Sequence, residues 1–176
     1  MVNRTDAEIY KLVDELMEKM TLEEKIGQLM LVGIGHTLDF GILETTDVPE
    51  RIKAGKVGFA LQNARSGGDI RYRLQKIAVE ETRLGIPLMF NADLLHGFFT
   101  EFPIPLAISC SWDTQMIEDA WSIIAEEATC TGLNYTNAPM IEVSRDPRWG
   151  RVAEGIGEDP YLGSEVAKAQ VRGFQV

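Results

Sequence analysis

The sequence contains few cysteines, few basic residues and no long apolar run, and each shortage excludes a class of protein. Only two of its 176 residues are cysteines, Cys110 and Cys130, which is too few for a disulfide framework, and their spacing fits no zinc site. We therefore predict no metal centre, and we expect both thiols to be small buried side chains. No stretch approaches the roughly 20 uninterrupted apolar residues of a membrane-spanning helix, so we expect no membrane partner.

Charge argues against a nucleic-acid partner. The chain has 17 Lys and Arg residues against 27 Asp and Glu residues, which gives a formal net charge of −10. Binding to a phosphate backbone relies on clustered basic side chains, and an acidic chain offers few of them. We predict no nucleic-acid binding.

The chain does have the pattern of a soluble α/β domain. Apolar residues make up 45% and charged residues 25% of the sequence, the usual balance in globular proteins. Short apolar runs near residues 30, 58, 89 and 136 alternate with segments of helical spacing. Such alternation predicts right-handed βαβ units and a parallel sheet.

Several helix starts are marked by capping residues. Thr5 with Glu8, and Thr21 with Glu24, are spaced as capping boxes. Asp113 stands before a third helical stripe. The first helix is predicted to be amphipathic, with apolar residues on one face at spacings of three and four: Ile9, Leu12, Val13, Leu16, Met17 and Met20.

The first candidate site follows the third predicted strand, where Asp93 and His96 stand three residues apart. In parallel α/β folds reactive groups gather at the carboxyl ends of strands. A turn-forming Asp and a structural His are the alternative interpretation, and spacing alone leaves both open. The segment 93–111 is predicted to be irregular because Pro103 and Pro105 interrupt it.

The second candidate site is the run 144–151, which holds three arginines, an Asp and a Trp in eight residues. An arginine presents a planar fork of donors that suits paired oxygens, and Trp149 offers a face for a sugar ring. A salt-bridged loop is the favoured interpretation for Arg145 and Asp146, whereas both interpretations stay open for Arg151. His36 is expected to be structural.

Several of these motifs, in this order, resemble the N-terminal domain of glycoside hydrolase family 3, the β-glucosidase and β-xylosidase type. The Arg-Asp-Pro-Arg-Trp-Gly-Arg run is the most specific of them. The resembling stretches together cover nearly the whole chain: 20–29, 93–97, 102–103, 145–151, 157–162 and 171–175.

The resemblance implies a (β/α)₈ TIM-type barrel, of which residues 1–176 would form the N-terminal half with about four βα units, since a whole barrel takes about 250 residues. It implies that Asp93 and Arg151 hold the terminal sugar of a β-linked glucoside or oligosaccharide. His96 belongs to the same substrate-binding motif and is expected to support its loop. No organic cofactor is implied. The family's nucleophile Asp, its Lys-His pair and its acid/base match no segment of this sequence, so no catalytic residue is assigned and the chain alone is expected to be inactive.

Two other functions stay open at this point. One is a noncatalytic half-barrel module that associates with itself, and the other is part of a β-N-acetylglucosaminidase. Open strand edges and an uncovered inner face predict a homodimer, or pairing with a C-terminal half-barrel. No apolar leader precedes the first helix, so the protein is expected to be cytoplasmic or to have lost a secretion signal.

Overall fold

The structure is a computed structural model that describes residues 4–34, 47–61 and 68–175. Helices and strands alternate along these residues, which confirms the predicted α/β pattern. One 3₁₀ turn lies at Val152–Glu154. In chain order the other elements are α1 (Asp6–Lys19), α2 (Leu22–Gly27), β1 (Leu31–Gly33), α3 (Val48–Lys53), β2 (Phe59–Leu61), α4 (Gly68–Glu80), β3 (Met89–Ala92), α5 (Pro105–Ser109), α6 (Thr114–Cys130), β4 (Tyr135–Thr136) and α7 (Pro160–Phe174).

The four strands form a parallel sheet in the order β1-β2-β3-β4, as βαβ connections require. Strand β1 pairs with β2, with Leu31 opposite Phe59. Strand β3 pairs with β4, with Asn91 opposite Tyr135. The strands are shorter than the apolar runs that predicted them, since each has two to four residues.

Two compact units divide the described chain, and the first comprises the residues up to Leu61 together with Asp69–Met89. Both predicted capping boxes, at Thr5 and at Thr21, are present. Arg83, which follows α4, binds to both α1 and α2, because its Nε donates to Glu24 at 3.0 Å and its Nη2 donates to the Lys19 carbonyl at 2.8 Å. The core of this unit is made by apolar side chains that include Ile52, Leu74, Ala78 and Leu88.

Helix α1 has the predicted amphipathic pattern, but no residue within it is buried. Ile9, Leu12, Val13 and Met17 are each between 43% and 48% exposed. Of the predicted apolar face, only Met20 is buried, at the C-cap of the helix. The spacing of apolar residues therefore predicted the helix correctly, but it did not predict that the apolar face would be exposed.

The second unit contains Phe90 and the described residues after it. The long helices α6 and α7 pack along each other there and bury Trp121, Ile117 and Ile124 of α6 with Val166 and Ala169 of α7. Asp113 caps α6, as predicted, by accepting from the Met116 N–H at 3.0 Å. The helices approach closely at Gly173, where an added Cβ would lie 2.5 Å from the Glu118 carbonyl oxygen.

Two sequence predictions are wrong in this unit. The segment 93–111 is not wholly irregular, since Pro105 opens helix α5, and proline is well suited to a first helical position because its missing N–H has no partner there. Cys110 and Cys130 are exposed free thiols, because both lie at the ends of helices away from the buried stripe. His36 lies outside the described residues.

No helix in the described part of the chain combines the length and the apolarity that crossing a bilayer requires. Within residues 4–34, 47–61 and 68–175, no three His, Cys, Asp or Glu side chains are grouped closely enough to hold a metal ion. The candidate site is therefore built from hydrogen-bonding and charged side chains.

Candidate functional site

Asp93 lies directly after β3 and Asn137 directly after β4, so the two side chains leave the sheet at the carboxyl ends of neighbouring strands. Asn137 Nδ2 donates a hydrogen bond of 2.8 Å to Asp93 Oδ1. Both residues are exposed. A fixed carboxylate open to solvent can accept hydrogen bonds from a ligand's hydroxyl groups.

Hydrogen bonds made by Asn134 and Thr136 extend the pairing of β4 with β3 at both ends of the ladder. The Asn134 side-chain oxygen accepts from the Phe90 N–H at 2.8 Å, and the Asn134 N–H donates to the Phe90 carbonyl at 3.1 Å. Beyond the strand, Thr136 Oγ1 accepts from the Leu94 N–H at 3.4 Å. These bonds fix the backbone on both sides of Asp93, although β4 itself has only two residues.

His96 holds the loop that begins at Asp93. Its Nδ1 lies 2.9 Å from the Phe102 carbonyl oxygen, and the Phe102 N–H donates to the His96 carbonyl at 2.8 Å. Because a carbonyl oxygen only accepts, Nδ1 carries the proton in this contact. Gly97 lets the loop fold back, since a Cβ there would lie 2.4 Å from the Thr100 carbonyl oxygen.

Glu127 of α6 anchors the far side of the same loop. Its carboxylate accepts from the Phe99 N–H and the Thr100 N–H at 2.9 Å each, and from Thr100 Oγ1 at 2.6 Å. These hydrogen bonds, led by that of the Thr100 side chain, lower the pKa of Glu127 because they favour the charged carboxylate. The loop is thereby attached to a helix as well as to the sheet.

Arg151 begins the 3₁₀ turn after the run of arginines and pairs with Glu154, to which its Nε donates at 2.9 Å and its Nη2 also donates. Glu154 is the main cause of its raised pKa, and the charges of Asp93 and Glu142 raise it further. The structure thus brings Arg151 and Asp93 into electrostatic range. Two of the five guanidinium N–H groups contact Glu154, which leaves about three for a ligand.

The rest of the arginine run forms local contacts. The Asp146 carboxylate accepts from the Arg148 N–H and Nε, each at 2.9 Å, and the Arg148 side chain is the main reason why the pKa of Asp146 is lowered. This ion pair between Asp146 and Arg148 agrees with the predicted salt-bridged loop. Trp149 is 37% exposed, so part of its ring is open to a ligand.

Sequence reasoning missed Asn137, Glu127 and the pairing of Glu154 with Arg151. The first has a usable signal, because it follows its strand just as Asp93 follows the preceding one. Glu154 stands three residues after Arg151, which is a helical ion-pair spacing. Glu127 has no local signal, since its partners are 27 and 28 residues away.

The sequence matches a family model and several known proteins. The family model described as "Glycosyl hydrolase family 3 N terminal domain" matches residues 21–176. A "Periplasmic beta-glucosidase" of Salmonella typhimurium is 42% identical over 163 residues, which cover 93% of this chain and 20% of the relative. A "Putative beta-xylosidase" of Formosa agariphila is 29% identical, with 93% of this chain and 23% of the relative covered.

The solved structures that resemble the chain also include a β-glucosidase. The β-glucosidase from Listeria innocua, crystallised with glucose, is 38% identical with a TM-score of 0.78, and the match covers 94% of this chain and 24% of that one. A β-N-acetylhexosaminidase from Beutenbergia cavernae has a TM-score of 0.72 at 21% identity over 89% of this chain and 51% of that one, which shows the fold alone. The chain spans only a fifth to a quarter of the length of the β-glucosidases that it matches.

Proposed function

Because the chain belongs to glycosyl hydrolase family 3, we propose that it forms the glycone-binding part of a retaining, exo-acting β-glucosidase, as the first half of that domain's barrel. The glycone is the terminal sugar at the nonreducing end of the substrate. Asp93 and Arg151 bind this sugar in the proposal, and His96 keeps their loop in place. The relatives that are 42% and 38% identical are both named β-glucosidases, which favours a β-linked glucoside over other substrates.

The observation that carries the proposal is that Asp93, directly after β3, interacts electrostatically with Arg151. The negative charge of Asp93 contributes to the raised pKa of Arg151, so an acceptor and a set of donors lie near one another. A sugar hydroxyl both donates and accepts hydrogen bonds, and charge-assisted bonds are the stronger kind.

A binding experiment tests this assignment. Titration of the chain with methyl β-glucoside, followed by NMR, should show weaker binding after Asp93→Ala while the circular dichroism spectrum is unchanged. Asp119→Ala is the matched control, because Asp119 is a carboxylate on α6 that accepts from Gln115 Nε2 at 2.9 Å. The assignment is wrong if Asp93→Ala unfolds the chain while the remaining folded protein binds the sugar as before.

Catalysis by this chain alone is not part of the proposal. Retaining hydrolysis needs a nucleophile and an acid/base carboxyl group about 5–5.5 Å apart, and we assign neither role to any residue of the sequence. Purified chain should release no nitrophenol from nitrophenyl β-glucoside, because binding groups cannot replace the covalent route. Turnover that disappears when one Asp or Glu of this chain is mutated would contradict the proposal.

A β-N-acetylglucosaminidase is the alternative within the same family. A structural neighbour named a β-N-acetylhexosaminidase is 21% identical, compared with 38% for the Listeria innocua β-glucosidase. Competition between methyl β-glucoside and methyl β-N-acetylglucosaminide separates the two functions. Tighter binding of the N-acetylated sugar would favour the alternative.

We also propose, as a second function, self-association or pairing with a C-terminal half-barrel. The support is the exposure of apolar side chains on the strands of each unit: Leu31 and Met89 of the first unit are each 45% exposed, and Tyr135 of the second unit is 43% exposed. Unpaired strand edges favour association with another chain. Light scattering at micromolar concentration should give a mass above 19.6 kDa, whereas a compact monomer with a concentration-independent melting temperature would contradict association.

The proposed location is the periplasm. A protein that has lost a secretion signal can be located there. The support for this location is the name of the Salmonella typhimurium relative. Fractionation of the source cells, with β-glucosidase activity followed in the periplasmic extract, tests it. Activity that is confined to the cytoplasmic fraction would contradict it.

A further inference from the structure

Asn137 occupies, at the end of β4, the position that Asp93 occupies at the end of β3. Asn91 lies opposite Tyr135 and Ala92 opposite Thr136, so Asp93 and Asn137 are the next residues on the two strands. Their hydrogen bond of 2.8 Å continues this register beyond the ladder through side chains. The pair therefore stands at the end of the sheet where parallel α/β proteins bind ligands.

The hydrogen bond between Asn137 and Asp93 leaves further donors and acceptors of both side chains available to a ligand. An asparagine amide has two N–H donors and one carbonyl acceptor, and a carboxylate has about four acceptor positions on two oxygens. The contact uses one N–H and one carboxylate position, and neither residue has a further hydrogen-bond partner among the described residues. Both side chains are exposed, so their free acceptors are accessible to a ligand.

We propose that Asn137 is a second sugar-binding residue that recognises the hydroxyl next to the one bound by Asp93. Its Nδ2 holds Asp93 Oδ1, which leaves Asp93 Oδ2 to accept from one hydroxyl of the sugar. Its own Oδ1 accepts from a neighbouring hydroxyl. The inference rests on the proposed function, since it assigns a further residue to the same glycone site.

A neutral amide beside a carboxylate suits a pair of adjacent hydroxyl groups. Each hydroxyl donates one hydrogen, so two neighbouring hydroxyls need two acceptors side by side. Two carboxylates in these positions would repel each other, whereas the Asn137 amide removes that repulsion and also donates to Asp93. The pair is thus a selector for sugars that carry two vicinal hydroxyls in the correct arrangement.

The first test measures affinity. Methyl β-glucoside is titrated into the 176-residue chain and its Asn137→Ala variant by NMR. Loss of one hydrogen bond to the sugar should weaken binding about three- to tenfold. Gln115→Ala is the matched control, because Gln115 Nε2 donates to Asp119 Oδ1 at 2.9 Å in the same kind of amide–carboxylate contact on α6, and its binding should equal that of the wild type.

The second test separates sugar binding from simple support of Asp93. Methyl β-glucosides that lack the 2-, 3- or 4-hydroxyl are titrated into both proteins. If Asn137 binds a hydroxyl, at least one deoxy sugar loses affinity for the wild type but loses nothing further for Asn137→Ala. An equal loss with every sugar would mean that Asn137 only orients Asp93, and would overturn the inference.

The outcomes distinguish this inference from the proposed function. Binding to Asn137→Ala that equals the wild type, while Asp93→Ala loses binding, refutes the role of Asn137 and leaves the glycone site intact. Failure of the wild-type chain to bind any of these sugars refutes the glycone site and the inference together.

Discussion

Replacing Gly173 by alanine should push helices α6 and α7 apart. A Cβ at Gly173 would lie 2.5 Å from the Glu118 carbonyl oxygen and 2.6 Å from the Cβ of Trp121. Neither atom can move by a side-chain rotation, because one belongs to the α6 backbone and the other is attached directly to it. The helix itself must therefore shift, and the packing around the fully buried Trp121 must change with it.

The size of the effect follows from two opposing contributions. Overpacking a buried contact costs about 1–3 kcal/mol, while Gly to Ala within a helix contributes about 0.5–1 kcal/mol of stability. Gly163 is the matched control, since it lies in the same helix with no atom within 4 Å of an added Cβ. Gly163→Ala should therefore stabilise the chain slightly, and the free energies of unfolding of the two variants should differ by about 1–3 kcal/mol.

Urea unfolding followed by tryptophan fluorescence measures this difference, and thermal unfolding should show the two midpoints separated by about 2–4 °C per kcal/mol. A Gly173→Ala variant as stable as Gly163→Ala, with the same urea dependence, would show that α6 and α7 do not approach as closely as described. The comparison does not depend on helix propensity, because the same substitution is made twice in one helix.

Three further predictions concern the loop anchor, the short strand and the thiols. The lowered pKa of Glu127 means that its carboxylate stabilises the fold above the unfolded-state pKa of about 4.3 and loses this effect as the pH falls through the lowered value. Stability measured by urea unfolding between about pH 3 and 6 should decline less steeply for Glu127→Gln, and an identical decline would refute this. Asn134→Ala should cost about 1 kcal/mol through the lost Phe90 hydrogen bond, and Asn134→Asp should restore most of it because an acceptor returns; equal stability of the two variants would contradict it. Cys110 and Cys130 are exposed, so both should react with Ellman's reagent in the native chain; reaction only after unfolding would disagree with the structure.

The helix starts were predictable from the sequence because their causes are local. The Thr21 side chain accepts from the Glu24 N–H and the Glu24 side chain accepts from the Thr21 N–H, while Asp113 caps α6 by accepting from the Met116 N–H. Strand length was not predictable, because it depends on partners distant in sequence. The apolar run near residue 136 predicted a strand, yet only Tyr135–Thr136 pairs as one, since the Asn134 side chain takes the place of a backbone contact.

The same distinction applies to the candidate site. Asp93 and Arg151 were selected from motifs, and the structure places Asp93 directly after β3 and within electrostatic range of Arg151; their role in sugar binding stays a prediction. Asn137 and Glu127 act through partners that are 44 and 27–28 positions away; the position of Asn137 directly after its strand is a usable signal, whereas no local spacing reveals Glu127.

Hydrogen bonding is continuous in the long helices α6 and α7 but limited in the two-residue strand β4. This difference determines which part of the second unit opens first. Amide hydrogens in the middle of α6 and α7 lie within continuous helical bonding around a fully buried tryptophan, so they should exchange with solvent only through large openings. The Phe90 N–H is held by a single exposed asparagine side chain, and the Leu94 N–H by one threonine hydroxyl, so both should exchange through small local fluctuations. The end of the sheet that carries Asp93 and Asn137 can therefore fluctuate on a fast timescale while the helices α6 and α7 stay closed, and a ligand that bridges these two residues would slow exchange at these amides first.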